Sequence, residues 1–171
     1  MKTAMNETPR NFKLALFLIL AAAALTVALV SASILSHVPD FKKMRYFVEV
    51  PVKHANGEWS YRKMGPKAKG WVPISQISNY VIMAVIASED SSFFSHKGVD
   101  FNELKEAIKK DFREKRWARR ASTLTQQVVK NVYLGREKTL WRKLKEFFWA
   151  RELEKVLSKT EIINFYLNMV E

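Results

Sequence analysis

Glu89 and Asp90 end an apolar run (Val81, Ile82, Ala84, Val85, Ile86) and are followed by Phe93, His96 and Gly98. Carboxylates at the mouth of an apolar helix are expected to be poorly solvated, which raises their pKa and suits a general base. Starting 33 residues after Glu89, a ten-residue stretch holds Ser122, Thr123, Gln126, Gln127, Lys130 and Asn131. Amides and hydroxyls offer donors and acceptors to sugar hydroxyls, and a lysine offers a point charge to phosphate. A third set, Lys138, Arg142 and Glu146, recurs at i, i+4 and i+8 on one helical stripe, with Lys143 beside it. Its cations suit the developing charge of a diphosphate leaving group. Each set also has an ordinary structural reading: a solvated helix end, a polar surface helix, an exposed ion pair worth tenths of a kcal/mol.

The elements that must position these residues are mostly helices. Residues 76–89 read as one apolar helix and 102 to about 116 as a charged amphipathic one. Ser122 is a favourable N-cap for a helix to about Leu134. Leu140, Leu144, Phe147 and Phe148 share a face of a helix over 138–157. Ser158-Lys159-Thr160-Glu161 reads as a capping box that opens a last helix through Tyr166. Before them, residues 36–75 read as a connector, with one short strand in Arg45–Val52 and breaks at Gly57, Gly65, Pro66 and Gly70.

Residues 14–35 form a run of 22 without a charge, about 33 Å as a helix and close to the hydrocarbon thickness of a bilayer. The run exceeds the 7–15-residue core of a cleaved signal peptide, so an uncleaved anchor is expected. Lys2, Arg10 and Lys13 precede it and Lys42, Lys43 and Arg45 follow, so flanking charge barely sets the orientation. The chain has no cysteine, which excludes disulfides and thiolate metal sites. Its net charge is +12, of which +8 falls in residues 101–157 (16 Lys and Arg, 8 Asp and Glu). Such a block seeks phosphate: nucleic acid, an anionic membrane surface or a diphosphate substrate. Phe101, Leu104, Phe112 and Trp117 interleave with this basic stretch, as in a helix that dips into an anionic leaflet.

Four motifs in one order carry a resemblance to the family 51 peptidoglycan glycosyltransferases. Glu89, Asp90, Phe93, His96 and Gly98 match E-D-x-x-F-x-x-H-x-G. Ser122, Thr123, Thr125, Gln126, Gln127, Lys130 and Asn131 match the S-T-x-[ST]-Q-Q-x-x-K-N element. Arg142, Lys143 and Glu146 match R-K-x-x-E, and Lys159, Ile162, Ile163, Tyr166, Leu167 and Asn168 match K-x-x-I-[IL]-x-x-Y-L-N. The resemblance covers residues 72–171. Arg120 stands where the family has glycine, and Asn164 where it often has glutamate. Family domains also continue beyond the position of Glu171, so the glycosyltransferase domain, 76–171, is expected to be incomplete at its C-terminus.

The resemblance implies a mainly α, lysozyme-like glycosyltransferase domain behind one transmembrane helix. Its activity would be the polymerisation of lipid II into β-1,4-linked glycan, with inversion and release of undecaprenyl diphosphate. It implies Glu89 as the base and Glu146 as the second catalytic carboxylate. Asp90, Phe93, His96, Ser122, Thr123, Gln126, Gln127, Lys130, Asn131, Lys138, Arg142 and Lys143 would bind substrate. The one cofactor it raises is a divalent metal, Mg or Mn. The partners it implies are lipid II, the lipid-linked strand, the bacterial inner membrane, with 1–13 as a cytoplasmic tail and the domain on the outer face, and other cell-wall synthesis and division proteins; nucleic acid is a poor fit for a basic block so placed. Two further classes fit the residues: a lysozyme-like glycan hydrolase, which also uses paired carboxylates, and a non-catalytic membrane-anchored protein that binds lipid II or anionic lipid.

Overall fold

The computed structural model describes residues 10–114, 122–135, 137 and 139–169, so Trp117, Arg120, Ala121 and Lys138 lie outside the described residues. The chain divides into two compact units, Met1–His37 and Val38–Glu171. The first holds α1 (Arg10–Ser36), 27 residues long, with a stretch of mean hydropathy 2.7. That helix is long and apolar enough to cross a membrane. Its one threonine, Thr26, donates its hydroxyl back to the Ala22 carbonyl at 2.9 Å, which keeps a polar group satisfied inside an apolar surface.

The second unit begins with a 3₁₀ turn over Phe41–Arg45, then β1 (Val48–Lys53) and β2 (Trp59–Met64), an antiparallel hairpin registered from Val48↔Met64 to Lys53↔Trp59. The Asn56-Gly57 pair supplies the hairpin turn, with Gly57 at φ 88°. Helices α2 (Asn79–Glu89), α3 (Phe101–Glu114), α4 (Leu124–Tyr133), α5 (Leu140–Val156) and α6 (Lys159–Met169) follow. The stretch expected as a connector is therefore part of the compact unit. Phe41, Met44, Val48, Val50 and Met64 are all buried there, because alternation in the hairpin turns one apolar face inward.

Helix α4 is the centre of this unit and packs against α5, α6 and β1. Leu124, Val128, Val129 and Val132 fall on its inner side and are buried. Burying side chains of this size stabilises by roughly 1.5–3 kcal/mol each. Its first turn is closed by a capping box in which Thr123 accepts from the Gln126 amide at 3.1 Å and the Gln126 side chain accepts from the Thr123 amide at 3.0 Å. The cap is thus Thr123, one residue beyond the expected Ser122. Helix α6 opens on the expected Ser158–Glu161 capping box.

Long-range polar clasps hold the two ends of the unit together. Arg45 donates to Glu161 at 3.0 Å and to the Val156 carbonyl at 2.7 Å, where α5 ends and α6 begins. Asn168 pairs with the Val72 backbone in both directions, accepting from its amide at 2.8 Å and donating to its carbonyl at 2.9 Å. Asn164, in the position where glutamate is frequent, accepts from the Asn168 amide at 3.1 Å and so supports that clasp.

Gly98 sits at φ 86°, where a Cβ would come within 2.6 Å of the Ala150 carbonyl oxygen. Both the left-handed backbone and the close approach to α5 require glycine. Gly98→Ala is expected to lower the unfolding free energy by about 2 kcal/mol or more, read from denaturant titration of the detergent-solubilised chain. Tyr133 stacks edge-on against Phe41 at 5.4 Å, and its hydroxyl has no hydrogen-bond partner among the described residues. Burial, and then the nearby Asp40 charge, push its pKa from 10.0 to about 12. The fold favours the neutral phenol, so this contribution to stability is complete below pH 10 and is lost as pH rises towards about 12. Tyr133→Phe is expected to be neutral or stabilising at pH 7 and to flatten stability against pH over that alkaline window.

Candidate active site

The site is built where α2 ends and α4 begins. Asp90 caps α2 through its own amide, which donates to the Ile86 carbonyl at 3.0 Å. Its carboxylate, 2% exposed, accepts from the Leu124 amide at the start of α4 at 2.9 Å and from His96 Nε2 at 3.0 Å. A carboxylate at a helix N-terminus meets unsatisfied amides and the positive end of the helix dipole. Asp90 therefore welds one helix end to the next, and His96 stands behind it. The His96 Nδ1 is buried and has no partner among the described residues.

This weld sets Glu89 beside α4, where its carboxylate accepts from Gln127 Nε2 at 2.9 Å. Glu89 is exposed, unlike the poorly solvated position expected, because α2 itself is largely uncovered. Tyr80 is 89% exposed and Met83 63%, and Ile86 is the one buried residue of α2. Tyr166 of α6 is buried within the electrostatic reach of the same carboxylate. Burial first, then the Glu89 charge, hold its phenol above the ordinary value. Tyr166 was legible in the sequence only as a motif position, since no periodicity links α6 to Glu89.

A second cluster forms at the start of α5. Glu146 is 2% exposed and receives Arg142 at 2.6 Å and Lys143 at 2.5 Å. Lys143 also donates to Ser122 Oγ at 2.8 Å, so one ammonium joins α5 to the approach of α4. Arg142 additionally donates to the Glu137 carbonyl. The i, i+4 pair anticipated between Arg142 and Glu146 is present, and it is buried on the acid's side rather than exposed. Removing one partner of such a pair leaves a charge without compensation.

The sequence-derived residues sort into two kinds. Asp90, Phe93, Thr123, Gln126 and Glu146 are buried, and His96 is nearly so. Phe93 packs against Phe94 and His96 and lies beneath the Lys159 ammonium at 4.4 Å. Thr123 donates its hydroxyl to the Gly98 carbonyl at 2.7 Å, in addition to capping α4. Glu89, Ser122, Gln127, Lys130, Asn131 and Lys143 reach the surface. Ser122, Gln126 and Lys130, spaced four apart, do not share one exposed face, because Gln126 turns into the cap. Glu154 was missed altogether. It accepts from Thr125 at 2.6 Å and from Lys159 at 2.6 Å, linking α4, α5 and α6 beneath the site. Only the three-dimensional meeting of these helices shows it.

Among the described residues, no three His, Cys, Asp or Glu side chains converge as a metal-binding group. Asp90 and Glu146 are each engaged by protein donors.

Residues 58–171 match the transglycosylase family. The chain belongs to that family. Its mainly helical unit is accordingly a lysozyme-like domain. Transglycosylase relatives include the biosynthetic peptidoglycan transglycosylase of Nitrosospira multiformis, 44% identical over 101 residues, or 59% of this chain and 44% of that protein. The enzyme of that name from Janthinobacterium sp. is 34% identical over 142 residues, 75% of this chain and 62% of that one. Penicillin-binding protein 1A of Escherichia coli is 36% identical over 136 residues, 80% of this chain and 16% of that protein. The chain spans less than half the length of the first of these relatives.

The two carboxylates of the E-D pair are expected to behave in opposite ways. Asp90→Ala strips the α4 amide and His96 of their acceptor and should cost about 3 kcal/mol of stability. Glu89→Gln, exposed and held by one amide, should stay within about 0.5 kcal/mol. Parallel denaturant titrations of the two variants check both values.

Proposed function

We propose that this domain is a peptidoglycan glycosyltransferase that polymerises lipid II. Glu89 takes the proton from the 4-hydroxyl of the acceptor N-acetylglucosamine as that oxygen attacks C1 of the donor muramoyl sugar. The bond from C1 to the diphosphate oxygen breaks, the anomeric centre inverts to a β-1,4 linkage, and undecaprenyl diphosphate leaves with the electron pair. Gln127 holds the Glu89 carboxylate towards the acceptor. Lys130 and Lys143, both reaching solvent, compensate the charge that grows on the leaving group. Glu146 acts by position, aligning Arg142 and Lys143 rather than exchanging protons. The observation that carries this reading is the exposed Glu89 held by Gln127 on the same helix that presents Lys130 one turn later.

The hydrolase reading is disfavoured by the same geometry. Hydrolysis by paired carboxylates needs a second acid or base beside the sugar. Asp90 is buried and bound by His96 and the Leu124 amide, and Glu146 is bound by two cations, which leaves Glu89 as the exposed carboxylate of the motifs. The proposal includes a single-pass anchor in the bacterial inner membrane, with the domain on its outer face among other cell-wall synthesis and division proteins. Exposed Phe101, Ile108 and Phe112 on α3, beside Lys105, Lys109 and Lys110, support contact with an anionic leaflet where polyprenyl substrates reside.

Glu89→Gln is expected to lower lipid II polymerisation by about 10³-fold, the usual contribution of a general base, in liposomes carrying the full chain. Equal polymer from wild type and variant would sink the assignment, and cut glycan in place of polymer would favour the hydrolase.

A further inference from the structure

A cavity of about 310 Å³ lies between the hairpin and the C-terminal turn of α4, lined by Val50, Trp59, Arg62, Lys130, Asn131 and Leu134 among others. Arg62 lies directly opposite Val50 in the β ladder, in line with buried Met64 two residues on. Alternation thus puts a guanidinium on the face of the hairpin that otherwise packs inward. Among the described residues, neither Arg62 nor Lys130 has a carboxylate in ion-pair range, and no acidic side chain lines the cavity. Lys130 and Asn131 stand three and four residues beyond Gln127, so the cavity opens about one helical turn, roughly 5 Å, from the amide that holds Glu89.

We infer that this cavity is an oxyanion subsite, in which Arg62 of β2 joins Lys130 of α4 in gripping a charged group of the substrate. The inference rests on the glycosyltransferase reading for the identity of that substrate. It adds the hairpin as a substrate-contacting element. Two cations with no acid between them lower the potential energy of an anion placed there, and a guanidinium presents paired donors to phosphate or carboxylate. Asn131 supplies an amide at the same wall, while Val50, Leu134 and Trp59 give an apolar surround that strengthens both charges. A lipid-linked disaccharide offers two such oxyanions, its diphosphate and the carboxylates of its peptide stem.

The test compares Arg62→Gln and Arg62→Lys with wild type, as full chains in detergent. Arg62 is exposed on the hairpin, so both variants should keep the wild-type unfolding curve. Binding of inorganic diphosphate, measured by titration calorimetry, should weaken about tenfold in Arg62→Gln, with partial recovery in Arg62→Lys. KM is then measured on stem-bearing lipid II and on a lipid-linked disaccharide diphosphate lacking the peptide. A rise on both substrates places the diphosphate in the cavity, and a rise on the stem-bearing one alone, with inorganic diphosphate binding unchanged, places the stem carboxylate there. Unchanged diphosphate binding together with unchanged KM on both substrates would overturn the subsite. Arg62-dependent diphosphate binding by a wild type that makes no polymer would uphold the subsite and sink the glycosyltransferase reading, so the two failures are distinguishable.

Discussion

The hydrogen bond from the Leu124 amide to the Asp90 carboxylate organises the rest of the domain. It joins the last turn of α2 to the first turn of α4, two helices separated by 34 positions in sequence. Without it α4 would start with an unsatisfied amide buried against a protein interior, and Glu89 would have no fixed relation to Gln127. The orientation of the adjacent acid follows from the chain itself, because neighbouring residues at a helix end point in different directions. One carboxylate turns in and is consumed as a structural acceptor. Its neighbour turns out and remains available.

The same division of labour runs through the other motifs. Within Ser122–Asn131, alternate needs are met by adjacent side chains: Thr123 and Gln126 close the helix, while Gln127, Lys130 and Asn131 face outward. In α5 the buried Glu146 spends its charge on Arg142 and Lys143, and Lys143 carries that anchorage to Ser122. A motif of this family is therefore two interlocked patterns, one for the fold and one for the surface it presents.

Sequence reasoning reached the helices because their caps and apolar faces are local. Ser158 and Glu161, the face of α5, and the apolar length of α1 are set within a few residues of themselves. It reached the site residues as types and spacings. It did not separate scaffold from surface, since whether Gln126 or Gln127 faces solvent depends on how α4 docks on α5, α6 and β1. The second hairpin strand was hidden by its exposed, polar pattern, although Asn56-Gly57 is a turn signal. The exposure of α2 overrode an apolar composition that reads as core. Glu154 and Tyr166 belong to the site only because α6 folds back beneath α4, a fact with no local trace.

The clasps that close the domain have a temporal side. Val72 meets Asn168 across 96 positions, and Arg45 reaches Glu161 across 116. A ribosome adding about 5–20 residues per second must therefore synthesise the chain through α6 before the hairpin end can find these partners. Until α6 emerges, the segment leading into α2 has no anchor, and Tyr166 is not yet there to stand beside Glu89. Local helices form early, but the surface that presents the carboxylate is complete only once α6 has been made.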